Sequence, residues 1–298
     1  MIDKDLIAIN RKYNEDQLTV DWFLGKRCNY DCTYCTSDVH DNFSPHIPLI
    51  DLKRSIDLFL KSAPADKIKI GFTGGEPTVH PDFHKLCEYM YRLGIIETIV
   101  TTNGTRKAEY YIKLLRHISS ITISQHFEHA KNEEFLTKME TIVKAIPDKN
   151  NIQIQVMFHP EYFDEAKEAV DFYTTNNIKF TLRRIRRIGK FAKLVNDYTK
   201  EQLDWFFEKS NQSGVAGANT VIYYKENNNI KSREVHVNEI SGSEKNNFNG
   251  WTCWAGILNL HVWFDGTVYR GNCRAGGPIG NINDPNFSLP IKPMVCDL

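Results

Sequence analysis

Between residues 18 and 190, short runs rich in β-forming residues alternate with amphipathic helical segments, and this alternation limits the possible folds more than any other feature. The predicted strands are Leu18–Gly25, Lys67–Thr73, Glu97–Thr102, Ser120–His126, Asn151–His159 and Ile178–Arg184. The predicted helices are Leu49–Ser62, Asp82–Leu93, Lys107–His117, Asn132–Ile146, Glu161–Asn176 and Thr199–Ser210. Six β/α units in series predict an α/β fold with a parallel sheet covered by helices, either an open barrel or a doubly wound sheet.

The periodicity of the fifth strand favours the barrel. A parallel strand covered on both faces is usually apolar throughout. Here one face carries only Ile152, Ile154, Val156 and Phe158, whereas the other carries Gln153, Gln155, Met157 and His159. A polar inner face suits a barrel that holds a charged ligand, and the alternative is an edge or partly solvated strand. We therefore predict a partial (β/α)6 barrel.

After residue 212 the pattern changes to short β-rich runs separated by turns rich in asparagine. Asp265-Gly266 separates His261–Phe264 from Thr267–Arg270, and Asp-Gly in this position is a strong hairpin signal. We predict a barrel domain over residues 1–211, with an N-terminal lead-in, and a small C-terminal β-hairpin-rich domain over residues 212–298. We expect this second domain to be truncated.

Composition argues against several classes of protein. Of 298 residues, 41% are hydrophobic and 25% charged, and Lys plus Arg equals Asp plus Glu at 37 each. This balance gives no reason to expect a nucleic acid or an anionic membrane as partner. No stretch approaches the roughly 20 apolar residues of a membrane span, and residues 1–6 do not resemble a signal peptide. We expect a cytoplasmic globular protein.

Three of the seven cysteines lie within eight residues: Cys28, Cys32 and Cys35 form a CxxxCxxC loop directly after the first strand. In a cytosolic chain, cysteines indicate metal ligands or reactive thiols before disulfides. Thiolates are soft ligands for iron–sulfur clusters, and three of them leave the fourth iron of a cubane open. Structural zinc, the alternative, would need a fourth ligand, for which His40 is the only nearby candidate.

This loop, with Tyr34 directly before its third cysteine, resembles the signature of the radical S-adenosylmethionine (SAM) superfamily. The resemblance continues at Gly74-Gly75-Glu76-Pro77 after the second strand and at Thr102-Asn103-Gly104 after the third. It implies that the three cysteines hold a [4Fe–4S] cluster with an open site. It also implies that SAM contacts Tyr34, Gly74, Gly75, Glu76, Thr102 and Asn103. Glycines permit close backbone approach, and a carboxylate suits the ammonium group of the cofactor.

The resemblance implies an enzyme that cleaves SAM reductively to a 5′-deoxyadenosyl radical, which then abstracts hydrogen from a substrate. We expect a small polar substrate such as a sugar, an aminocyclitol or a nucleotide, because no separate peptide-recognition domain precedes the barrel. A peptide-modifying maturase, forming a cross-link or an epimer, is the alternative. A non-catalytic zinc- or cluster-binding interaction module is the alternative of another class. An electron donor such as flavodoxin or ferredoxin is an expected partner.

Further candidates stand at the ends of strands four to six, because functional residues in such barrels gather at the carboxyl ends of strands. Ser124 is expected at the ribose or carboxylate of SAM. Arg183 is expected at the carboxylate, which a guanidinium clamps with two hydrogen bonds. Arg183 also lies in an arginine-rich run, so solvation or a structural ion pair is the alternative. His126 and His159 are the candidate catalytic residues.

The C-terminal cysteines form a second group. The sequence around Cys253 and Cys273 resembles the start of a SPASM or shorter twitch extension, which holds an auxiliary iron–sulfur cluster. Six residues separate Gly266 from Cys273, a longer gap than the family's usual one, and Cys296 is the last cysteine. With so few cysteines the twitch form matches better. The resemblance implies that Cys253, Cys273 and Cys296 bind an auxiliary cluster with an incomplete ligand set, and structural zinc is the alternative.

Overall fold

The computed structural model describes residues 5–11, 17–35, 38–95, 97–146, 151–185, 198–212, 220–235, 247–257 and 259–297. The strands are β1 Asp5–Arg11, β2 Leu18–Phe23, β3 Ile68–Thr73, β4 Glu97–Thr102, β5 Ser120–Gln125, β6 Ile152–Phe158, β7 Phe180–Arg184, β8 Thr220–Glu226, β9 Asn229–Val235, β10 Thr252–Cys253, β11 Asn259–Val262, β12 Thr267–Tyr269, β13 Pro278–Asn281 and β14 Met294–Val295. The helices are α1 Leu49–Leu60, α2 Phe83–Arg92, α3 Ala108–Leu114, α4 Asn132–Ala145, α5 Phe163–Thr175 and α6 Lys200–Gln212. None of these helices is long and apolar enough to cross a bilayer.

Strands β2 to β7 lie side by side in sequence order, and each neighbouring pair is parallel. One helix, α1 to α5, connects each strand to the next, and α6 follows β7. A doubly wound sheet would reverse its strand order partway, whereas sequential order is that of a barrel wall. The prediction of a partial (β/α)6 barrel is confirmed.

The two faces of the barrel wall differ in polarity, as the sequence of β6 predicts. Its apolar residues Ile152, Ile154, Val156 and Phe158 are all buried in the main hydrophobic core. Polar side chains of the opposite face bond across strands. The Ser124 hydroxyl donates to Gln155 Oε1 at 3.3 Å, and Gln153 Nε2 donates to Thr181 Oγ1 at 3.5 Å. The barrel therefore presents hydroxyl and carboxamide groups along its inner face.

The C-terminal hairpin extends the barrel wall. Strand β11 pairs in parallel with β2, and β12 and β13 add antiparallel strands beyond it, which gives the order β13-β12-β11-β2-β3-β4-β5-β6-β7. The hairpin predicted at Asp265-Gly266 is confirmed, and Gly266 adopts the positive φ of 84° that its turn requires. The sheet is thus continuous across residue 212, and the division into two domains at that residue stays a prediction.

Two small antiparallel sheets complete the described chain. Strand β8 pairs with β1 on one side and β9 on the other. Asn227 and Asn228 connect β8 to β9 with φ of 50° and 63°, the left-handed values that a two-residue hairpin turn demands, so the predicted asparagine-rich turn is confirmed. Strand β10 pairs with β14. The sequence did not predict β1, whose partner lies some two hundred residues along the chain.

Trp22 is the largest fully buried side chain on the helix side of β2, with 1% of its surface exposed. Its ring centre lies 5.9 Å from that of Phe59 on α1 and 5.7 Å from that of Phe72 on β3. The indole therefore joins the first helix to the first two strands of the barrel.

We expect Trp22→Ala to lower the free energy of unfolding by about 3–5 kcal/mol, because it leaves a cavity between α1 and the sheet. Trp254→Ala is the matched control, since Trp254 is 67% exposed and its removal should change stability by less than about 0.5 kcal/mol. Urea unfolding of both variants measures the difference. Equal losses would show that α1 does not depend on Trp22.

Candidate functional site

The cysteine loop follows β2 at the carboxyl edge of the barrel sheet. Cys32 is buried, and Cys28 and Cys35 are half-buried. The loop is tight, since Cys35 N donates to the carbonyl of Cys32 at 2.9 Å. Two N–H groups approach the sulfur of Cys28: Tyr30 N at 3.4 Å and Asn103 Nδ2 at 3.9 Å. Such donors stabilise a thiolate, so the loop suits a metal cluster held by sulfur.

Burial of Cys28 and Cys32 favours the protonated form of these two thiols. It raises the pKa of Cys28 and raises the pKa of Cys32 to about 12. Metal ligation requires the thiolate, so cluster assembly at these two residues must release protons. Together with Cys35 they fit a three-thiolate site.

The glycine pair after β3 packs against the backbone that leads into Cys28. Glu76 N donates to the carbonyl of Arg27 at 2.9 Å. A Cβ atom on Gly75 would lie 2.3 Å from the carbonyl oxygen of Lys26, and Gly74 has φ of 137°. Both positions therefore require glycine. The close approach that we predicted toward a ligand is made here toward the cysteine loop itself.

The Glu76 carboxylate is 3% exposed and accepts four hydrogen bonds from the chain. Its Oε1 accepts from Thr78 N at 2.9 Å, Thr78 Oγ1 at 2.6 Å and Thr102 Oγ1 at 2.7 Å. Its Oε2 accepts from Asn103 N at 2.6 Å. Burial raises the pKa of this carboxyl, and the four hydrogen bonds oppose that rise. Glu76 thus ties the end of β3 to the end of β4.

Asn103 connects this carboxylate to the cysteine loop. Its Nδ2 donates to Asn29 Oδ1 at 3.0 Å, in addition to its approach to Cys28. Its Oδ1 accepts from Thr105 N at 3.1 Å, which fixes the orientation of the amide. The three sequence motifs, which stand after β2, β3 and β4, therefore form one hydrogen-bonded site.

Tyr34 and His126 form the opposite wall of the loop. The Tyr34 hydroxyl lies 2.6 Å from His126 Nδ1, and Cys32 Sγ lies 3.6 Å from the same nitrogen. Burial lowers the pKa of His126 to about 4, so its imidazole is neutral, and its tautomer decides which of the two groups donates this hydrogen bond. The centre of the His159 ring lies 6.2 Å from that of Tyr34. Both candidate catalytic histidines thus lie close to one buried tyrosine.

The other predicted residues occupy the ends of β5 to β7. His159 is 7% exposed, and its Nδ1 accepts from Glu161 N at 3.2 Å, which caps the turn after β6. Ser124 is 4% exposed and faces the barrel interior. Arg183 is exposed and pairs in register with Met157, a neighbour of Tyr34 in a small apolar cluster. The rest of the arginine-rich run, from residue 186, lies outside the described residues.

The sequence analysis missed the residues after β5 that contact the cysteine loop. Glu128 accepts hydrogen bonds from Thr33 N at 2.8 Å and Thr33 Oγ1 at 2.5 Å, and His129 stacks on Tyr30 with ring centres 4.5 Å apart. Ligand atoms of Cys32, Glu128 and His129 all lie within 4.8 Å of one another, the one such group in the described ranges. No local pattern marks these residues, because their partners lie more than ninety positions away.

The C-terminal cysteines belong to the small β10–β14 unit. Cys253 on β10 pairs with Met294 on β14, and Cys296, which is buried, follows two residues later. Cys273 is exposed on the turn after β12. The methyl end of Met294 lies against Gly276 in that same turn. The three cysteine-bearing segments are thus in contact, and the auxiliary cluster stays a prediction.

Curated relatives match part of the chain. GTP 3′,8-cyclase from Haemophilus influenzae strain 86-028NP is 38% identical over 84 residues, which cover 28% of this chain and 25% of that enzyme. The 7,8-dihydro-6-hydroxymethylpterin dimethyltransferase from Methanocaldococcus jannaschii is 30% identical over 112 residues, covering 37% of this chain and 22% of that enzyme. The matches therefore span about a quarter of the length of these relatives.

Solved structures match nearly the whole chain. Streptococcus suis SuiB bound to its precursor peptide SuiA superimposes with a TM-score of 0.62 at 14% identity, covering 91% of this chain and 63% of SuiB. Native anSMEcpe with bound AdoMet gives a TM-score of 0.53 at 16% identity, covering 89% of this chain and 78% of anSMEcpe. These likenesses show a shared fold.

The family comparison covers most of the barrel. The family model described as "Radical SAM superfamily" matches residues 22–229, a range that includes all three motifs of the site. Its members bind a [4Fe–4S] cluster and SAM, the two groups that the thiol set and the polar cradle around it fit. The alternative of a non-catalytic zinc module has no support in these comparisons. The chain belongs to the radical SAM superfamily, and it is an enzyme of that family.

Proposed function

We propose that the enzyme abstracts hydrogen from a small polar molecule, such as a sugar, an aminocyclitol or a nucleotide. The observation that carries this proposal is the inner face of the barrel. On strands β5 to β7 it presents the hydroxyls of Ser124 and Thr181 and the carboxamides of Gln153 and Gln155. Uncharged donors and acceptors of this kind bind hydroxyl and amide groups better than an apolar substrate.

When bound to Cys28, Cys32 and Cys35, a [4Fe–4S] cluster supplies the electron that cleaves SAM reductively. The chain provides the cradle around it. The N–H groups of Tyr30 and Asn103 approach the Cys28 sulfur, which favours its thiolate. Tyr34, which is buried, and the half-buried His126 would cover the Cys32 side of the loop.

The remaining residues would orient SAM. We assign its methionine end to the turn of Gly74, Gly75 and Glu76, together with Thr102 and Asn103. Ser124 on β5 and Arg183 on β7 would bind its ribose and carboxylate oxygens. The rings of His126 and His159 both lie near that of Tyr34, and these three side chains would bound the space where substrate meets the cofactor.

Two further parts of the proposal concern electron transfer. Cys253, Cys273 and Cys296 would bind an auxiliary iron–sulfur cluster that assists oxidation or substrate binding. The contact between their segments supports this assignment. A flavodoxin or ferredoxin would supply the electron, since cleavage of each SAM molecule consumes one.

The relatives give two substrate classes to test. The name of GTP 3′,8-cyclase specifies a nucleotide, which makes nucleotides the first members of the panel. SuiB was solved with a precursor peptide, so a peptide is the second candidate.

Deuterium transfer tests the proposed function directly. We expect anaerobically reconstituted enzyme to move deuterium from a perdeuterated nucleotide, sugar or aminocyclitol into 5′-deoxyadenosine, which mass spectrometry detects.

The control is the Cys28→Ala, Cys32→Ala, Cys35→Ala variant, which should lose all SAM cleavage yet keep the iron of the auxiliary cluster. Transfer from peptides alone would overturn the substrate class. Cleavage by the triple variant would overturn the cluster assignment, and loss of all its iron would overturn the auxiliary cluster.

We expect Gly75→Ala to reduce the iron held by the cysteine loop. The added methyl would lie 2.3 Å from Lys26 O, so the turn after β3 must withdraw from the loop. Gly25→Ala is the matched control, in the segment after β2 to which Gly75 N donates a hydrogen bond, because no heavy atom lies within 4 Å of its added Cβ. Iron and sulfide analysis after identical reconstitution compares the two. Equal iron contents would show that the close packing does not shape the cluster site.

We expect Glu76→Gln to weaken SAM binding and to destabilise the fold. In the variant, an NH2 group replaces one of the two carboxylate oxygens of Glu76. At least one N–H that donates to this oxygen in the wild type would then face another donor, and one buried unpaired group costs about 1–3 kcal/mol. Glu140→Gln is the control, since Glu140 forms an exposed helical ion pair with Lys144. Calorimetric SAM titration and urea unfolding give the two readouts. Unchanged values in both would remove Glu76 from the cofactor cradle.

A further inference from the structure

Two histidines face each other between α2 and the segment after α3, outside the barrel. The rings of His84 and His117 have centres 5.2 Å apart at an interplanar angle of 85°. His84 Nε2 and His117 Nδ1 are both buried, and neither has a hydrogen-bond partner among the described residues. A buried nitrogen without a partner costs about 1–3 kcal/mol. This cost indicates that something outside the polypeptide binds the pair.

We propose that His84 and His117 form a binding site for a divalent transition-metal ion of the zinc class. Two imidazoles on one tetrahedral zinc, with zinc–nitrogen distances near 2.0–2.1 Å, have ring centres about 5 Å apart. The observed separation of 5.2 Å agrees with that geometry. Burial and the neighbouring His84 lower the pKa of His117, so its ring nitrogen is neutral and its lone pair can bind a metal.

Glu88 would supply a third ligand after rotation of its side chain, since its carboxylate and the two ring nitrogens do not all lie within 4.8 Å of one another in this structure. It stands four residues after His84 on α2, and residues at this spacing share one face of a helix. Its negative charge raises the pKa of His117, against the effect of His84. Glu88 Oε1 accepts from Arg92 Nη2 at 2.5 Å, a surface contact that a metal can replace. Two imidazoles, one carboxylate and a water complete a tetrahedral site.

A second histidine pair shows that ring proximity alone does not make such a site. His46 and His80 have ring centres 4.9 Å apart. However, both nitrogens of His80 are engaged, Nε2 by the carbonyl of Ile47 at 2.8 Å and Nδ1 by Asp82 N at 3.1 Å. The unpartnered nitrogens therefore distinguish the pair of His84 and His117, and His46 offers a matched control.

Zinc binding to the cluster-loaded enzyme tests the proposal, because the cysteines are then occupied by iron. Equilibrium dialysis against zinc chloride should give one zinc per chain in the wild type. His84→Ala and His117→Ala should each weaken this binding at least tenfold, and His46→Ala should leave it unchanged. Zinc should raise the melting temperature of the wild type and of His46→Ala only, since a ligand stabilises the form that binds it.

Iron content and SAM cleavage equal to those of the wild type would show that both alanine variants are folded, because the pair lies away from the cysteine loop. The proposal is overturned if the wild type takes up no zinc, or if both alanine variants keep it. Unchanged zinc affinity in Glu88→Gln would remove the carboxylate from the ligand set.

Discussion

The site depends on one buried carboxylate. Glu76 accepts hydrogen bonds from Thr78 on its own turn and from Thr102 and Asn103 on the next, so the ends of β3 and β4 cannot move independently. Asn103 passes this constraint to the cysteine loop through Asn29. A buried carboxylate is costly unless its oxygens are paired, and here every pairing also fixes part of the candidate site. The same bonds that offset the burial of Glu76 therefore organise the site before any cofactor binds.

Much of this arrangement could be predicted from local sequence patterns. The alternation of β-rich and amphipathic segments predicted the six β/α units, and the polar positions of β6 predicted the polarity of the inner face. Asp265-Gly266 and the asparagine-rich turn at 227–229 predicted two hairpins, because glycine and asparagine readily adopt the left-handed φ that tight turns need. The structure shows this φ at Gly266, Asn227 and Asn228. These features depend on neighbouring residues, which is why they are visible in sequence. The motif residues lie together because the carboxyl ends of parallel strands meet at one edge.

Contacts between distant segments could not be predicted in this way. The hydrogen bonds of Thr33 with Glu128 and of Tyr34 with His126 join residues more than ninety positions apart, and each side chain alone is an ordinary surface or core residue. Gly75 shows a different limit. Its glycine signal was correctly associated with close approach, but the sequence did not reveal that the approaching group is the backbone at Lys26. A glycine indicates that a side chain would not fit at its position, but it does not identify the group that occupies the space.

The pairing of β11 with β2 links the two cysteine groups mechanically. Strand β2 leads into the Cys28 loop, and the β11–β12 hairpin leads into the turn that carries Cys273. Phe23 at the end of β2 packs on Trp263 with ring centres 4.6 Å apart, and the guanidinium of Arg274 lies 4.1 Å from the centre of the same indole. Because one aromatic and cation–π stack spans both segments, displacement of the Cys273 turn must disturb the end of the strand that positions the first cysteine loop. The β11–β12 hairpin therefore acts as part of the barrel wall, and the same sheet positions both the turn that carries Cys273 and the first cysteine loop.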